Sequence, residues 1–192
     1  MEIDVEKLSN ERTNTAMRLL RERGIEAAWR SIGAETRLVG SCATGLLCRR
    51  RDIDLHVYTE RLDAPASFRA VSMIRGVRRL EFRNLAGTDE DCLEWHAVME
   101  FEGEEWTLDM IHIRRGSRYD GFFERVAERI RTSMTPEARR AILRLKFEAP
   151  EEERIPGIVF CQAVLSGGVR TSREFAEWRR MHSFEGVSEW MP

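Results

Sequence analysis

Gly40-Ser41-Cys42-Ala43-Thr44-Gly45, followed after five residues by Arg51-Asp52-Ile53-Asp54-Leu55, is the stretch on which the fold of this chain turns. A short strand over Glu35–Val39 leads into it. The chain then turns at Gly40-Ser41, where small residues let the backbone come close to a ligand. A short helix opening at that turn points free N–H groups at an anion, and Ser41 adds a hydroxyl able to bond a phosphate oxygen. Asp52 and Asp54 lie at the start of a second strand, over Ile53–Thr59. Residues i and i+2 of a strand share a face, so both carboxylates point to one side. Two like charges that close repel unless a cation lies between them, and Mg²⁺ accepts carboxylate oxygens together with substrate phosphates.

A third acid belongs on a neighbouring strand, and Trp106-Thr107-Leu108-Asp109-Met110-Ile111-His112-Ile113 supplies it. Asp109 is a lone acid in an apolar run, and a buried charge without a partner is costly. A metal shared with Asp52 and Asp54 would be that partner. The run is one arm of a hairpin, Leu93–Phe101 and Glu105–Ile113 around the turn Glu102-Gly103-Glu104. In the first arm Trp95, Ala97, Met99 and Phe101 alternate with Glu94, His96, Val98 and Glu100, the pattern of a sheet buried on one face.

This constellation resembles the nucleotidyltransferase superfamily typified by DNA polymerase beta, whose pattern is roughly G-S-x-A-x-G, then D-h-D-h, then a distant h-D-h. The small bacterial aminoglycoside, lincosamide and minimal nucleotidyltransferases are the most similar members. The resemblance covers about residues 1–116. It implies that Gly40 and Ser41 hold nucleotide phosphates, that Asp52, Asp54 and Asp109 form a two-metal Mg²⁺ site, and that Asp109 serves or orients the base for the attacking hydroxyl. It implies NMP transfer from a nucleoside triphosphate, expected to be ATP, to a hydroxyl of a small-molecule or protein acceptor, with release of pyrophosphate. The alternative is a regulatory or antitoxin-type binding module with little turnover. Thr44 stands where many small members carry Arg, and Arg51 where Ser often precedes the first Asp; neither change removes a metal ligand.

The implied fold is α+β: a small mixed sheet flanked by helices over 1–116, with a C-terminal helical region over 117–192. Helices are expected over Asp4–Arg23 and Ala66–Arg75, with a plain connection through Trp29 between the first helix and the first strand. A third strand is expected over Val77–Phe82. Beyond Gly116 the period turns helical: one helix around Phe122–Ile130, one opened by Thr135-Pro136, one over Ile155–Leu165, and one behind the capping box Thr171-Ser172-Arg173-Glu174. Ala149–Pro156 reads as a linker.

Composition narrows the rest. The chain has 192 residues and a formal net charge of −2, so no global field draws it to nucleic acid or an anionic membrane. A polynucleotide acceptor and a membrane partner are therefore not expected, while a homodimer is compatible with this reading. No apolar run reaches the ~20 residues of a bilayer span, and the first residues lack a signal sequence, which makes the cytoplasm the expected location. Four cysteines without a C-x-x-C pair read as reduced core thiols. The basic residues are two lysines, Lys7 and Lys146, and otherwise arginines. Arg49-Arg50-Arg51 accordingly reads as a solvated loop rather than a triphosphate grip. His56 shares the parity of Asp52 and Asp54 and is expected to pack deeper along the strand. His112, of opposite parity to Asp109, is expected to be structural. His96, on the arm opposite Asp109, is placed either in the acceptor pocket or on the surface.

Overall fold

The computed structural model describes residues 3–182 and 189–192. Asp4 caps the first helix, α1 (Val5–Glu22), by accepting from the backbone N–H groups of Glu6 and Lys7. A second helix, α2 (Ile25–Arg30), occupies the segment expected to be a connection. It is six residues long, too short for a helical period to register, yet it buries Ile25, Ala28 and Trp29. Strand β1 (Glu35–Val39), the short α3 (Gly40–Thr44) and β2 (Asp52–Thr59) follow as the sequence predicts. Helix α4 (Ala64–Ser72) starts earlier than expected because Asp63 caps it and Pro65 fits its first turn. Strands β3 (Val77–Asn84), β4 (Cys92–Phe101) and β5 (Glu104–Arg114) complete the sheet.

The strand order is β1-β2-β5-β4-β3, mixed, with β2 and β5 parallel and the other neighbours antiparallel. The β4–β5 turn departs from expectation in a way that matters for the site. Phe101 pairs with Glu104, leaving two central residues, Glu102 and Gly103, with φ of 52° and 77°. Positive φ at both central positions is the signature of a type I′ hairpin, whose twist suits the flanking strands. A three-residue turn would shift the register by one and set Ala97 opposite Asp109; the two-residue turn sets His96 there.

One face of the sheet carries Ile53, Leu55, Val57, Trp95, Leu108 and Met110 against α1, α2 and α4. Each such side chain taken out of water contributes about 1.5–3 kcal/mol. After Gly121 come α5 (Phe122–Ser133), α6 (Pro136–Glu148), α7 (Gly157–Leu165) and α8 (Ser172–Met181). They bury a second cluster that also takes in Val5, Leu46 and Cys48 from the first half of the chain. Helix α7 begins two residues later than expected, because Pro156 takes an extended conformation at its N-cap. The Ala149–Pro156 stretch contains one 3-10 turn, Glu151–Glu153. All four cysteines are free and buried. Among the described residues no helix is long and apolar enough to cross a membrane.

Candidate active site

The parity of β2 sends Ile53, Leu55 and Val57 into the core and leaves Asp52, Asp54 and His56 on the other face. Parallel pairing sets Asp54 beside Asp109 of β5, so all three acids share that face. Gly40 lies against them. It has φ +61°, and a Cβ built there would come within 2.0 Å of Asp54 Oδ2. Only a glycine lets the strand-to-helix turn close on this carboxylate. The backbone N–H of Ser41 favours the charged form of Asp54. Burial first, then the charges of Asp52 and Asp109, push the Asp54 carboxyl up to about 7 despite nearby Lys146. Burial and the same acids, Asp54 and Asp52, push the neighbouring Cys42 thiol up to about 12, which makes it a poor nucleophile.

The oxygens of the three aspartates do not all close to within 4.8 Å of one another, the reach expected of a metal-bridging set. Among the described residues only Glu90, Cys92 and Glu94 form a group that tight, away from the Gly40 turn. Asp109 Oδ1 is instead held by His96 Nδ1 at 2.8 Å. This bond ties His96 to Asp109, with the imidazole still partly exposed. Burial works against its protonation, but the hydrogen bond to Asp109 and the charges of Asp109 and Glu94 outweigh it and raise its pKa. His56 packs edge-on against Phe123, and burial lowers its pKa to about 4. His112 is buried on the opposite face beside Trp29 and Ser67, again with a pKa lowered to about 4, chiefly by burial.

Lys146 of α6 is the site residue that the sequence reading missed. Its Nζ donates to Ser41 Oγ at 2.7 Å and to the carbonyl of Leu46 at 2.8 Å, which leaves one N–H for a ligand. Gly157, at the start of α7, closes the other side: a Cβ there would stand 3.0 Å from Ser41 Oγ and 3.6 Å from Lys146 Nζ. The one available signal was compositional, a lysine in a chain whose basic residues are nearly all arginine.

Arg49, Arg50 and Arg51 are each tied to other parts of the chain, and Arg49 and Arg50 line the hollow beside Ser41, Asp52 and Lys146. Arg49 donates to the Phe147 carbonyl, Arg50 donates to the carbonyls of Glu151 and Ile155, and Arg51 pairs with Glu104. They fasten the α3–β2 loop to the α6–α7 segment and to β5. Tyr119 stacks with Phe122 and Phe123 and not over the cleft, while Trp95 and Trp106 are core residues.

Between α3, α5 and α7 lies a cleft of about 460 Å³ onto which Ser41, Asp52, Asp54 and Lys146 open. The donor set is that of a hard-cation and phosphate site: carboxylates on one side, an ammonium and a hydroxyl on the other. A divalent metal on this face would be held by Asp52, Asp54 and Asp109, whose oxygens would have to draw closer to share it.

The five-stranded mixed sheet flanked by helices is the nucleotidyltransferase fold expected from the sequence. Solved structures bear this out. A chain of the GLD-2/RNP-8 complex superposes with TM-score 0.58 at 13% identity, over 83% of this chain and 59% of that one. A cytoplasmic RNA terminal U-transferase gives 0.55 at 14%, over 84% and 53%. The non-canonical poly(A) polymerase complex GLD-2–GLD-3 gives 0.54 at 12%, over 96% and 70%. This chain therefore spans a little over half the length of the first two. No family model and no curated protein matches the sequence.

Proposed function

We propose that the chain is a nucleotidyltransferase that moves NMP from a nucleoside triphosphate to an acceptor hydroxyl and releases pyrophosphate. The observation that carries this reading is the pairing of Asp54 with Asp109 across parallel strands, with Asp52 on the same face and Ser41–Lys146 opposite. Ser41 and Lys146 bind the β- and γ-phosphates, and the spare Lys146 proton goes to a phosphate oxygen. Mg²⁺ ions bound by Asp52, Asp54 and Asp109 would neutralise charge on the attacking and leaving oxygens. Asp109, held by His96, accepts the hydroxyl proton as that oxygen bonds to the α-phosphorus. The α–β P–O bond breaks, and pyrophosphate leaves with its electron pair. Positioning and charge neutralisation do most of the catalytic work in such a site.

Small-molecule, protein and RNA hydroxyls are all admissible acceptors, the last because of the structural relatives. The test is incorporation of label from each α-labelled nucleoside triphosphate, with Mg²⁺, into pooled RNA, protein and hydroxyl-bearing small molecules. Label should transfer with wild type and not with Asp52→Asn. Equal transfer by both proteins would refute the assignment.

A further inference from the structure

We infer that the cleft reads the base of its nucleotide by shape and not by its hydrogen-bonding edge, so that this chain takes all four nucleoside triphosphates. The inference rests on the function proposed above. With the phosphates at Ser41 and Lys146, the rest of the cleft is left for the ribose and base. That part is walled by Phe123, Val126, Ala127 and Ile130 of α5 and by Ile158 and Val159 of α7. None of these side chains carries a hydrogen-bonding atom.

The other polar lining residues are held by the protein itself or stand at the phosphate end. Thr44 Oγ1 donates to the carbonyls of Gly40 at 3.0 Å and Ser41 at 3.2 Å. Arg50 donates to the carbonyls of Glu151 and Ile155, and its remaining N–H groups lie on the side lined by Ser41, Asp52 and Lys146, the phosphate end. Cys161 is a buried thiol, a weak donor. Gly157, the first residue of α7, lies beside Ser41 and hence at the phosphate end. A site that hydrogen-bonds a substrate group rejects the analogue lacking it by about 10⁴–10⁵, because its own buried polar groups are then stranded. An apolar wall strands nothing, and its discrimination stays near the ~10-fold range set by buried area.

The experiment is calorimetry of the whole chain with the Mg²⁺ complexes of ATP, GTP, CTP, UTP and inorganic tripolyphosphate, on wild type and Ile158→Ala. Ile158 is only partly buried, so the variant should keep its fold, checked by circular dichroism. Wild type should bind all four nucleotides within about tenfold of one another, purines ahead by their larger stacking area. Ile158→Ala should weaken all four alike, by several-fold, and leave tripolyphosphate unchanged. One nucleotide bound 100-fold better than the rest would overturn the inference and leave the proposed function standing. So would an Ile158→Ala variant that binds every nucleotide as wild type does. If tripolyphosphate and all four nucleotides fail to bind, it is the function itself that falls.

Discussion

The two faces of this sheet are made from the same strands and obey opposite rules. On one, Leu55, Leu108 and Met110 interlock with Trp29 and Trp95. On the other, one residue away along each strand, stand Asp54, Asp109 and His96. The first face buries apolar area and drives folding; the second gathers like charges and works against it. Asp54 registers that conflict, its carboxyl pushed up to about 7 by burial, Asp52 and Asp109. The contrast teaches that a period-two pattern can be read for function as well as for burial. Acids on the face that a core does not need have to be accounted for by a ligand.

The sharpest way to break this contrast is to substitute once on each face. Asp109→Asn should lower NMP transfer by about 10²–10⁴, as for loss of a positioned base, while the melting temperature holds or rises because one of three clustered charges is gone. Trp95→Ala should do the reverse, costing about 3–5 kcal/mol of stability while the folded fraction keeps transferring. Activity assays paired with denaturant melts decide it; an Asp109→Asn variant that unfolds would make that acid structural. Next comes Lys146→Met, which removes a charge-assisted contact of about 1.5–3 kcal/mol. Nucleotide affinity should fall roughly 10–150-fold with little change in stability, as calorimetry would report.

Gly40→Ala should cost about 1–2 kcal/mol from its left-handed backbone alone, and its Cβ would displace the Asp54 carboxylate. Stability and Mg²⁺-nucleotide binding should fall together in this variant, unlike in any of the previous three. A further effect is on pH. A carboxyl raised from 3.8 to about 7 holds its proton more tightly in the folded state. Without metal, the contribution of Asp54 to stability should therefore be full below about 4 and be lost as pH climbs through about 7. Asp54→Asn should flatten that decline in a series of melts across the range; an unchanged slope would assign it to other groups.

Much of the site is legible in the sequence because it is local. Parity alone places Asp52 and Asp54 on one face, and an acid between Leu108 and Met110 announces a partner across the sheet. What escapes is what depends on distant chain or on a single residue of register. Lys146 reaches Ser41 from 105 residues away, a contact no local pattern encodes. The pairing of His96 with Asp109 turns on whether the hairpin has two central residues or three, and Glu102 at positive φ is not a residue that advertises the shorter turn. The six residues of α2 carry too few turns to show a period.

The central claim, that the charged face of the sheet is a metal–nucleotide site, is tested most directly by thermal melts of wild type and Asp54→Asn with Mg²⁺ and a nucleoside triphosphate. At a hundredfold excess over Kd, binding to the native state contributes about 2.7 kcal/mol, or about 5–10 °C for a chain of this size. Wild type should show that rise only when Mg²⁺ and nucleotide are both present, and Asp54→Asn should lose its Mg²⁺-dependent part. Equal Mg²⁺-dependent stabilisation of the two proteins would contradict the account.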